Sequence, residues 1–99
     1  MALGSVAAVK SRNLVGQVQI VGNDGIGDAL SAVKSGQMYA TNAESPFALG
    51  QEVVRIAGEV AAGNDVNKEQ VLQGRIVVKD DVPGFCDYLT GLGDATTCK

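Results

Sequence analysis

Two short stretches carry side chains suited to gripping hydroxyl groups. One is Asn23-Asp24-Gly25, after the β-branched run Val18-Gln19-Ile20-Val21; the other is Asn42-Ala43-Glu44-Ser45, after Gln37. A carboxylate accepts from two adjacent hydroxyls at once, and charged acceptors make the stronger hydrogen bonds. An asparagine offers both a donor and an acceptor. Asp24, Glu44, Asn23 and Asn42 are therefore the expected ligand-binding residues, and the chemistry they suit is that of a sugar or polyol. Each also has a plainer role. Asn-Asp-Gly is a common turn sequence, a glutamate ahead of Ser-Pro favours the positive end of the helix that follows, and Asn42 equally suits a strand residue reaching a neighbouring loop.

Other chemistry lacks its parts. The chain has no histidine, so neither a Ser-His-Asp nor a Cys-His arrangement can form. Nothing places a nucleophile or an electrophilic group beside the two carboxylates, and an enzyme is not expected. Gly22-x-x-Gly25-x-Gly27 lacks the Lys-Ser/Thr pair of a phosphate loop and the spacing of a dinucleotide fingerprint. The stretch from Asn23 to Lys34 lacks the alternating oxygen ligands and closing glutamate of a calcium loop. No cofactor and no metal are expected. Cys86 and Cys98, near the C-terminus, do not have zinc-site spacing; they form either a disulfide closing a short loop or two free thiols.

The 8 basic residues are scattered and the net charge is −3, which speaks against a nucleic-acid partner. No apolar run approaches the roughly 20 residues that cross a bilayer. The opening Met1-Ala2-Leu3-Gly4-Ser5-Val6 lacks the basic start of a secretory signal.

The elements that must position the two turns can be read from periodicity. Leu3, Val6, Ala7 and Lys10 share one helical face, predicting a helix from Met1 to about Arg12. No capping residue precedes it, so it reads as cut rather than begun. Val18–Val21 is an expected strand, and Asp28 an expected N-cap for a helix to about Ser35, with Gly36 just past its end. Gln37–Asn42 is a second strand. Ser45 then caps a longer helix with Pro46 at its first position and Phe47, Val53, Val54, Ala57 and Val60 on its apolar side. Arg75–Val78 is a third strand, and a last helix includes Phe85 to Leu89; the tail from Gly91 shows little pattern. This alternation predicts an α/β fold, a parallel sheet flanked by helices in three layers. In such sheets ligands sit beyond the carboxyl ends of the strands, where both turns would share one edge.

The same residues resemble a known family. Ile20-Val21-Gly22-Asn23-Asp24-Gly25-Ile26-Gly27-Asp28-Ala29 is similar to the V-G-F-D-G-x-P-D-A segment of type I periplasmic sugar-binding proteins of the ribose-binding kind. Ala32-Val33-Lys34-Ser35-Gly36 through Ala40-Thr41 resembles their A-I-K-x-G-x-x-x-A-T segment, and Ala43-Glu44-Ser45-Pro46 sits where they have A-Q-x-P. Val77-Val78-Lys79-Asp80-Asp81-Val82 through Tyr88-Leu89 resembles their closing V-T-K-E-N-V-x-x-Y-L, and Met1–Lys10 resembles the helix that follows an Asn-Asp turn. The likeness spans about the first 90 residues in order.

This resemblance implies a single partial domain, residues 1–99, from the C-terminal lobe of a two-lobed receptor. Such a receptor closes on a sugar in the periplasm and delivers it to the membrane permease of an ABC importer. It implies that Asp24 and Glu44 hydrogen-bond ligand hydroxyls. Two departures leave the sugar open: Glu44 replaces glutamine, a pure acceptor for a mixed group, and Asn23 replaces an aromatic. The absent lobe would leave an open sheet edge and a bare apolar face, so self-association is expected. The alternative is the effector domain of a lac-repressor-type regulator, which shares the fold.

Overall fold

A computed structural model describes the whole chain, Met1–Lys99. In order it contains α1 (Ala2–Ser11), β1 (Val21–Asp24), α2 (Gly27–Lys34), β2 (Ala40–Ala43), α3 (Pro46–Ala61), β3 (Arg75–Val78) and α4 (Val82–Gly91), with a 3-10 turn at Lys79–Asp81 leading into α4. The α/β alternation read from the sequence is present.

β3 lies where its β-branched run predicts, but β1 and β2 start about three residues later than the sequence suggests. Before Val21 the chain meets its neighbour once, where the Tyr39 N–H donates to the Ile20 carbonyl at 2.9 Å. The parallel ladder then runs from Val21↔Ala40 to Asp24↔Ala43. Asn23 and Asp24 are thus on the last rungs of the ladder rather than in a free turn, and Asn42 is a strand residue, as its place in the Gln37–Asn42 run suggested. Asp28 also differs from its expected role: Ile26 holds the N-cap position of α2, and Asp28 lies in the first turn, where a carboxylate still favours the positive helix end.

β3 departs from the expected all-parallel sheet. It pairs antiparallel with β2, from Ala40↔Val78 to Ala43↔Arg75. The reason lies in the connection. A crossover helix reverses the chain only if it packs along the sheet, and α3 buries none of its residues. At 16 residues α3 is about 24 Å long; the coil of residues 62–74 then brings the chain back, and β3 enters at the rim where β2 ended. Gly74 makes that entry possible, because a Cβ there would stand 2.5 Å from Asn42 Oδ1.

Helices cover one face of the sheet. Val6 of α1, Leu30 and Val33 of α2, Val77 of β3 and Val82, Phe85 and Leu89 of α4 form one buried cluster. On the other face Val21 and Ile76 are 59% and 63% exposed, so the flanking layer expected there is not supplied by this chain.

Past α4 the chain is tied down despite its unpatterned sequence. Cys86 of α4 and Cys98 are joined by a disulfide. Between them Asp94 is buried and accepts four hydrogen bonds, from the backbone N–H and the hydroxyl of both Thr96 and Thr97. Thr97 first, then the two backbone donors, holds its carboxyl down to about 2.

Candidate functional site

The site forms where β1 and β2 end and β3 begins. The register sets Asp24, Ala43 and Arg75 in one row across the sheet. Asp24 has φ +79°, a left-handed conformation that aspartate tolerates better than most residues. Gly25 follows at φ +64°, and a Cβ there would stand 2.4 Å from that of Ala43. This pair of left-handed residues ends β1 abruptly and swings the chain into α2.

The two asparagines form a relay. Asn42 Nδ2 donates to Asn23 Oδ1 at 2.9 Å, and Asn23 Nδ2 donates to Asp24 Oδ1 at 2.5 Å. Asp24 is thereby oriented from β2, through Asn23, while its other oxygen is left for a further donor. Glu44 follows β2 directly and is exposed. Ser45 Oγ accepts from the Ala48 N–H at 3.3 Å and starts α3, which fixes the direction in which the chain leaves Glu44.

Asp24 and Glu44 line one cleft of about 300 Å³ together with Gln73, Arg75 and Tyr88 and with Pro46 and Leu49 of α3. Asn23 and Asn42 do not line it; they stand behind, supporting Asp24. Arg75 went unnoticed in the sequence. Its guanidinium lies 4.4 Å from the centre of the Tyr88 ring, a stacking that holds the donor fork in place. An all-parallel reading puts Arg75 at the opposite rim, so only the antiparallel pairing of β3 brings it here. Tyr88 lies within α4 and was legible as an aromatic, not as the seat for an arginine.

Two acceptors, an arginine fork and the half-buried Tyr88 ring on which it stacks line this cleft. Polyhydroxy compounds need those groups: acceptors for hydroxyl protons and a donor for hydroxyl or ring oxygens.

No family model matches the chain. Individual proteins do. The ribose import binding protein of Haemophilus influenzae is 46% identical over 66 residues, which is 67% of this chain and 22% of that protein. A xylitol-binding protein of Mycolicibacterium smegmatis is 35% identical over 82 residues, 83% of this chain and 23% of that one. Among solved structures, a periplasmic solute-binding protein of an ABC transporter from Actinobacillus succinogenes, crystallised with D-allose, superimposes with a TM-score of 0.79 at 26% identity. That match covers 84% of this chain and 29% of the other. The chain therefore spans about a quarter of the length of the curated relatives it matches.

Proposed function

We propose, from its membership by sequence and fold of the sugar-binding type I periplasmic proteins, that this chain forms one wall of a sugar or polyol site. In the whole protein that wall belongs to the solute-binding component of an ABC importer, working in the periplasm with a membrane permease as its partner. Asp24 and Glu44 accept hydrogen bonds from ligand hydroxyls, Arg75 donates to ligand oxygens, and Asn23 and Asn42 orient Asp24. Residues 1–99 act as a single partial domain whose role is to bind, not to catalyse. The observation that carries this reading is the common cleft shared by Asp24, Glu44 and Arg75.

The Cys86–Cys98 bond favours the exported receptor over the effector domain of a cytoplasmic regulator, since disulfides persist in oxidising compartments. The relatives bind ribose and xylitol by name, and the pure acceptor Glu44 suits a ligand rich in hydroxyl donors.

One wall holds a few of the contacts that a closed receptor makes, so the chain alone should bind weakly, with Kd above about 1 mM. Titration of the ¹⁵N-labelled chain with ribose, allose and xylitol should give saturable shifts at Asp24, Glu44 and the Arg75 side chain. The reading fails if none of a panel of pentoses, hexoses and polyols moves those signals.

A further inference from the structure

Behind the turn that carries Asp24 lies the C-terminal tail, in close contact. The Thr97 carbonyl is so near Gly27 that a Cβ on that glycine would stand 2.4 Å from it. A narrow cleft of about 130 Å³ beside this contact is lined by Asp24, Gly25 and Glu44 together with Leu89, Asp94 and Thr97. On its front the same turn is pressed against β2, through Gly25 and Ala43. The segment from Asp24 to Gly27 is therefore held at two points, by β2 at Gly25 and by the tail at Gly27.

The tail is a rigid support. Asp94 is only 3% exposed. Its Oδ1 accepts from the Thr96 and Thr97 N–H groups and the Thr96 hydroxyl at 3.0 Å each, and its Oδ2 accepts from the Thr97 hydroxyl at 2.5 Å. The next residue, Cys98, is bonded to Cys86 in α4. Thr97 is thus fixed by the knot on one side and the disulfide on the other.

We infer that this disulfide-locked tail is a positioning element for the ligand turn, with Asp94 and Thr97 setting where Asp24 stands. Opening the disulfide with an external dithiol, which gives up two electrons and two protons to form two thiols and is itself oxidised to a disulfide, loosens the turn. That loosening is a property of the fold; its effect on sugar binding rests on the function proposed above.

The test uses the 99-residue chain and needs no ligand. Amide spectra and hydrogen exchange are compared for the oxidised chain, the reduced chain, and the oxidised variants Asp94→Asn, Thr97→Ala and Thr97→Ser. The expected result is movement of the Asp24, Gly25 and Gly27 resonances on reduction, in Asp94→Asn and in Thr97→Ala. Exchange at the Leu30 N–H, which donates to the Ile26 carbonyl and closes the first turn of α2, should become roughly tenfold faster, the ratio that goes with losing one supporting hydrogen bond. Thr97→Ser keeps the hydroxyl and should restore the parent spectrum at the turn. Changes confined to Phe85–Lys99 would overturn the inference. If reduction unfolds the chain, the disulfide-intact variants decide by the same criterion. A sugar titration of each sample separates the two ideas. Coupling without any sugar shifts sinks only the proposed function, whereas sugar shifts that ignore reduction and the Thr97 variants sink the positioning role.

Discussion

Asp24 combines a left-handed backbone, φ +79°, with a carboxylate at a cleft. Backbone strain of this kind persists where the surroundings enforce it, and it clusters at sites of function. Here the enforcing groups are visible: Gly25 against Ala43 in front and the asparagine relay from β2. Asn tolerates the same backbone region, so Asp24→Asn should leave stability within about 0.5 kcal/mol of the parent, as measured by urea denaturation. It should also weaken sugar binding by about 1.5–3 kcal/mol, the range of a hydrogen bond to a charged group. A loss of stability with binding intact would make Asp24 a turn former and nothing more. The sequence showed Asp24 and Glu44 as acceptors at one sheet edge. It did not show that Asn23 and Asn42 face each other across the ladder, because a register difference of one residue alters every cross-strand neighbour.

The elements divide by how local their determinants are. The Arg75–Val78 strand and the Ser45-Pro46 start of α3 were legible because a β-branched run and a cap with proline act within a few residues. The direction of β3 was not, since it depends on whether α3 packs on the sheet. Nor was the order of the tail, whose Asp94 knot is made of ordinary turn residues. α3 itself owes little to packing. A helix of its length is marginal in water without tertiary support, so its cap should matter: Ser45→Ala should cost about 1 kcal/mol of helix stability and reduce the helical circular-dichroism signal. The tail should respond to acid. Asp94 is held down to about 2 from an ordinary 3.8, so its contribution is present in full above about pH 4 and is lost as pH falls toward 2. Proton resonances of Thr96 and Thr97 followed over that range should report the knot opening, and Asp94→Asn should abolish the transition; an unchanged transition in that variant would assign it to another carboxylate.

At the scale of the whole molecule the chain is longer and more exposed than its size requires. Its extents are 58 × 25 × 18 Å and its radius of gyration is 16.7 Å, against about 13 Å for a compact chain of this length. Its accessible surface is 6863 Å², whereas a compact monomer of 10.1 kDa would show about 5,300 Å². The excess is about twice the roughly 800 Å² that each partner buries in a standard interface. It is also apolar where it matters: Val53 and Val54 on α3 are 56% and 72% exposed. Such a face is what a second copy of the same chain can cover, helix against helix, with little rearrangement of the clustered core. Sedimentation velocity across a concentration series should therefore show reversible self-association of the 99-residue chain. Val54→Glu places a charge on the exposed face without touching the core, so it should yield a monomer with the parent's circular-dichroism spectrum. A parent chain that stays monomeric at high concentration would mean that the α3 face is tolerated in water, and the expected self-association would then fall, while the cleft lined by Asp24, Glu44 and Arg75 would be untouched by that result.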